Sequence, residues 1–182
     1  WTRGSKKQLP WANTLARHGY PALSVTLPGR GELLAREHPD LHVVIRWLKR
    51  EGHKHGLSGE SFYLMGQGAG GHAALQSAYR GRLKGLLGVL VWSTPADLGM
   101  LWDGPAEPWL HGPQAQLTRL MAGSPEEHPR HYEQASPVHH VHANAPRTLL
   151  GCGGRDLTVP ASHCEALESA LLDAGVEVQS LV

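Results

Sequence analysis

The chain lacks an excess of charge, a long apolar run and a set of cysteines, and each absence removes a class of function. Lysine and arginine number 17 against 16 aspartates and glutamates, a formal charge of +1. Without a basic stripe or an acidic tail, nothing here suits a nucleic-acid or anionic-membrane partner. A small neutral molecule suits it better. No apolar run approaches the roughly 18 residues that a membrane span needs, and the opening WTRGSKKQL has no apolar core of the kind a signal peptide carries. The expectation is a soluble chain, cytoplasmic rather than secreted. Cys152 and Cys164 fall at a strand end and in a helix. Two such residues define no disulfide framework, and reduced, buried thiols are expected.

What is present is an α/β pattern. At 182 residues and 41% hydrophobic content, the chain is long enough for one well-buried domain and too short for two. Five apolar runs have strand length: ALSVTL (22–27), SFYLM (61–65), LLGVLVW (86–92), TLLGC (148–152) and VEVQSLV (176–182). Amphipathic stretches near 7–18, 40–54, 69–80 and 161–174 alternate with them, and 113–123 reads as an extra helix. Such alternation predicts a mostly parallel sheet with helices on both faces. Asp40 is placed to cap the second helix, whose core stripe is Leu41, Val44, Ile45 and Leu48. The Pro/Gly-rich loop 102–113 marks a lid or insertion within about 99–135 of a single 1–182 domain. The chain opens on a tryptophan in a polar, helix-starting stretch and stops inside a strand pattern, so a fragment is expected.

The stretch YLMGQGAGGHAAL (63–75) carries the candidate chemistry. Gly66, Gly68 and Gly71 satisfy the dinucleotide pattern G-x-G-x-x-G. That motif needs an acid about 20 residues on, at the tip of the next strand, to hold a ribose. Here Trp92, Ser93 and Thr94 come first, and the nearest acid is Asp97. The same letters fit the nucleophile elbow G-x-S-x-G with Gly68 in the serine position and Gly66 and Gly70 as the small neighbours that a strained strand-to-helix turn requires. An elbow enzyme carries its acid on a loop after a later strand, and TLLGCGGRDLTVP supplies Asp156.

FYLMGQGAGGHAAL is similar to the elbow of α/β-hydrolases of the esterase/lipase type, including kynurenine formamidase-like, prenylcysteine methylesterase-like and carboxylesterase-like members, whose turn reads G-[HQ]-S-A-G-[GA]-H. HPDLHVVIRWLKREGHKHGL resembles the helix before that elbow, ASPVHHVHANAPRTLLGCGGRDLTVP the acid-bearing segment, and WTRGSKKQL the sequence that follows the family's H-G-G oxyanion motif. The resemblance implies an α/β-hydrolase fold, serine acyl transfer on a small ester or amide, and no cofactor or metal. It puts Gly68 at the nucleophile position, Asp156 at the acid, and the amide of Ala69 in half of an oxyanion hole. The chain departs from the pattern in three ways: Gly68 has no hydroxyl, the H-G-G would precede Trp1, and the catalytic histidine would follow Val182. Of the 13 histidines, only His163 follows Asp156, and it lies in the next helix. The expectation is therefore an esterase-class domain with negligible turnover, with a non-catalytic binding pseudoenzyme as the alternative. An oxyanion hole and substrate binding alone support only about 10³–10⁴-fold catalysis over water, and part of that hole is missing too.

The remaining candidates have plainer readings. His139, His140 and His142 sit in a loop without cysteines or a spaced partner set, so surface histidines are expected rather than a metal site. His38 and His42 flank a helix start. Ser93 ends a strand but has no glycine elbow to expose its hydroxyl, and His72 is expected to pack under the turn.

Overall fold

A computed structural model describes residues 9–26, 39–81, 83–104 and 113–181. Four strands, β1 (Phe62–Gln67), β2 (Leu86–Trp92), β3 (Thr148–Gly151) and β4 (Val178–Leu181), form one parallel sheet in the order β1-β2-β3-β4. Seven α-helices accompany them among the described residues: α1 (Leu9–Arg17), α2 (Pro39–Glu51), α3 (Ala69–Arg80), α4 (Leu98–Trp102), α5 (Pro113–Met121), α6 (Pro129–Ala135) and α7 (Ser162–Asp173).

The strand order advances one step at a time, and parallel crossovers are right-handed, so successive connections fall on the same face. That face carries the main core. Leu75 and Tyr79 of α3 and Leu167 and Leu171 of α7 pack on Val89, Val91 and Leu150, all nearly inaccessible to solvent. Alternation along β2 turns Trp92 to the opposite face, where Trp11 of α1 meets it with ring centroids 5.3 Å apart. Helices thus lie on both faces of the sheet. α4, α5 and α6 build a second, smaller cluster from Leu98, Leu101, Leu117, Met121, Tyr132 and Ala135, closed by an edge-on contact of Trp102 with Tyr132.

Several expectations need correction. ALSVTL forms no strand over 22–26; Leu27 lies outside the described residues, and among the described residues the ladder begins at Phe62. The second helix begins at Pro39, a residue pre-set for the first helical position, so Asp40 lies inside the first turn. The side chains of Pro39 and Asp40, the whole of His38 and most of the 102–113 loop lie outside the described residues. Of that helix's core stripe, Leu41 and Ile45 are buried and Val44 and Leu48 half-buried. The cysteines are not reduced thiols: Cys152 and Cys164 form a disulfide, their Cα atoms 6.3 Å apart. The short β3–α7 connection brings the strand's end and the helix's first turn within bridging distance.

Truncating the centre of the main core, Leu75→Ala, is expected to cost about 2–5 kcal/mol. Urea unfolding should show it as a lower midpoint at unchanged slope.

Candidate active site

β1, β2 and β3 end in register. Gly68 N donates to Trp92 O (3.2 Å), Ser93 N donates to Gly151 O (3.0 Å) and Cys152 N donates to Leu181 O (2.7 Å). Gly68 and Asp156 therefore follow the carboxyl ends of strands on one edge of the sheet, the edge where open α/β sheets bind ligands.

At Gly68 the backbone turns from β1 into α3 with φ 52° and ψ −121°, a conformation that side chains resist. Gly68 O accepts from His72 N (2.9 Å), which closes the first helical turn on the elbow. Ala69 opens α3, so its N–H is among those the helix leaves without an intrahelical partner. Among the described residues, a Cβ built on Gly68 meets only Ser93 O, at 3.8 Å, so they leave room for a side chain. A Cβ on Gly66 would lie 2.5 Å from backbone atoms of Gly70 and Gly71, whereas one on Gly70 meets nothing within 4 Å among the described residues. The two glycines that the elbow pattern treats alike are thus unequal: Gly66 is held by a close backbone approach and Gly70 is not.

Behind the turn, His72 is fully buried and its Nδ1 donates to Pro95 O (3.0 Å), tying α3 to the segment after β2. Ser93 has a positive φ of 45°, a feature its sequence surroundings do not announce. Asp97, the acid the dinucleotide pattern would have needed earlier, caps α4 instead, its Oδ1 accepting from Gly99 N and Met100 N.

Asp156 is half-buried, and its Oδ1 accepts from Thr158 N (2.9 Å) and Val159 N (3.0 Å). His163, buried at the start of α7, accepts from Asp97 N at Nδ1 (3.5 Å). Burial lowers its pKa, and the attraction of Asp97 and Asp156 only partly offsets this. The His139–His142 segment has other duties: His139 Nε2 lies 3.6 Å from Asp97 Oδ2, His140 Nε2 donates to Gln134 O, and His142 Nε2 donates to Tyr79 O. No cluster of three or more metal-ligating side chains occurs among the described residues. A cavity of about 820 Å³ lies at the far, amino-terminal edge of the strands, lined by Arg80, Lys84, Leu86, His142 and Pro146. It is remote from Gly68, which stands at the carboxyl edge.

The BD-FAE family profile matches residues 1–171. The chain belongs to the BD-FAE family. Solved structures give the same fold. The truncated form of a carbohydrate esterase from gut microbiota superposes with a TM-score of 0.66 at 20% identity, over 78% of this chain and 57% of that one. A lipase/esterase from Lactobacillus plantarum gives 0.68 at 14% identity, over 96% and 69%. Esterase 2 of Thermogutta terrifontis gives 0.69 at 18%, over 97% and 64%. This BD-FAE chain thus spans 57% of the length of the first of these structures. No curated protein matches it. The fold is that of the α/β-hydrolases. No described helix is long and apolar enough to cross a membrane.

Gly70→Ala should leave stability unchanged or raise it. Gly68→Ser should cost about 1–3 kcal/mol for its backbone conformation. Gly66→Ala should cost at least as much through overpacking. Thermal or urea melts that rank the three variants otherwise refute this account of the turn. For His163, a folded-state pKa below the ordinary value of about 6.5 means that the unfolded chain binds the proton first, so stability falls as pH drops below that value. His163→Asn should flatten the acid limb of a plot of unfolding free energy, from urea melts, against pH, whose slope for one such group is at most about 1.4 kcal/mol per unit.

Proposed function

We propose that this chain is a carboxylic-ester hydrolase domain of the serine type whose nucleophile position is occupied by Gly68, and that it turns over esters negligibly as it stands. The observation that carries the reading is the backbone at Gly68: an elbow's strained turn, with room for a side chain among the described residues, built around a residue that has none. In an active elbow a hydroxyl there would attack the carbonyl of a small ester or amide, a histidine would take its proton, an acid would orient the histidine, and backbone amides would hold the oxyanion.

Asp156 is proposed as the acid. Two amides fix its Oδ1, and among the described residues its Oδ2 has no hydrogen-bond partner, which leaves that oxygen for an imidazole. The amide of Ala69 is proposed as one oxyanion donor. His163 is a poor substitute for the base, being buried with Nδ1 already engaged by Asp97 N. A binding role without turnover is the second reading. The room the described residues leave at Gly68 favours it, since a ligand's carbonyl or carboxylate can occupy what a hydroxyl would fill.

The test is hydrolysis of p-nitrophenyl acetate and butyrate. The 182-residue chain and its G68S variant should both match the unfolded control, because a serine hydroxyl without a base is a weak nucleophile. G68S in a longer chain that supplies an H-G-G segment before Trp1 and a histidine after Val182 should be active, and Asp156→Asn should depress it. The oxyanion donor alone accounts for about 10²–10³ in rate. If the short G68S chain is as fast as the longer one, the assignment of Gly68 and Asp156 is wrong.

A further inference from the structure

The connection between β3 and α7 makes its hydrogen bonds within itself. Asp156 N donates to Gly153 O, Thr158 N and Val159 N donate to Asp156 Oδ1, and His163 N donates to Pro160 O. Among the described residues, no hydrogen bond runs from 153–161 to any element other than the start of α7. Gly153, Gly154, Arg155, Leu157 and Thr158 are exposed. The two feet of this loop are held differently. At the strand end, Cys152 N is locked to Leu181 O in the ladder. At the helix end, the fully buried core contacts of α7 come from Leu167 and Leu171, one and two turns further on, with Cys164 of the first turn half-buried against the same core. Its first turn is held by the packing of the buried His163, whose bond to Asp97 N is long, and by Cys164, which is joined to Cys152.

We propose that the Cys152–Cys164 bond is a redox-operated clamp on the 153–163 segment. Oxidised, it pins the first turn of α7 to the end of β3 and holds the Asp156 carboxylate at the carboxyl edge; reduced, it lets loop and first turn move while the sheet stays folded. The chemistry is thiol–disulfide exchange with a dithiol. A thiolate of the dithiol attacks Cys164, the half-buried sulfur, and the S–S electron pair leaves on Cys152, which takes up a proton. The second thiolate of the reductant then displaces Cys164 as a thiolate, which is protonated in turn. The reductant leaves as a disulfide, and two electrons and two protons have passed to the protein. The clamp does not depend on Asp156 being a catalytic acid, so it stands or falls separately from the ester-hydrolase reading.

Hydrogen exchange by mass spectrometry tests it on the whole chain, oxidised, reduced with dithiothreitol, and as the Cys152→Ser/Cys164→Ser variant. The expected result is faster exchange over 153–163 by about tenfold or more in both thiol-free-of-bridge forms, with β1 and β2 unchanged and the protection regained on reoxidation. Should the double variant fail to fold, the reduced wild type carries the comparison. Three results would overturn the proposal: both cysteines alkylating in the unreduced native protein, unchanged exchange over 153–163 on reduction, or a uniform rise across the whole sheet, which would make the bond a global staple.

Discussion

Each strand's exit residue hooks onto the end of its neighbour: Gly68 to Trp92, Ser93 to Gly151, Cys152 to Leu181. The arrangement of the carboxyl edge depends on this stair of backbone bonds. It sets the height at which β1, β2 and β3 release the chain, and so brings the glycine turn, the 93–97 segment and the Asp156 loop to a common level. A slip of one residue in any pair would turn the core-facing residues of that strand outward, which the buried Val89, Val91 and Leu150 forbid. The hydrophobic core and the candidate site are therefore fixed by the same register.

Polar ties brace the edge from behind. His72 to Pro95, Asp97 to the α4 amides and His163 to Asp97 N join α3, the segment after β2 and the start of α7. Each takes place in buried or half-buried surroundings, where an unmatched polar group costs about 1–3 kcal/mol. Satisfying His163 as a neutral acceptor has a chemical consequence as well, because an imidazole held that way cannot easily serve as a proton-accepting partner at an exposed site.

The fold was largely legible in the sequence, because strand-length apolar runs and helical stripes alternate cleanly from Phe62 onward. α3 lies where the pattern puts it, from Ala69 to Arg80. What escaped depends on the third dimension. ALSVTL has the composition of a strand, yet only a ladder makes one. α4 and α6 are short, at five and seven residues, and draw their stability from the Leu98–Tyr132 cluster rather than from any strong periodicity. The disulfide was hidden because 12 residues of separation says nothing by itself. A cysteine ending a strand and another in the first turn of the next helix was the available signal. At the candidate site, glycine spacing marked where the turn would fall, but it could not separate a glycine demanded by a close backbone contact, Gly66, from one that is merely present, Gly70. Nor could it foresee the positive φ of Ser93.

The turn's shape is stored around residue 68 more than in it. Gly66, the bond to Trp92 and the closing of α3 on Gly68 O impose the backbone path, and whatever occupies position 68 must accept it. For most residues that acceptance is a standing strain; for glycine it is nearly free. In the proposed elbow, chemistry and stability therefore pull in opposite directions at this one position. Wherever selection for turnover at such an elbow lapses, the thermodynamic slope runs toward glycine, and a lineage can drift down it while every other part of the fold remains intact.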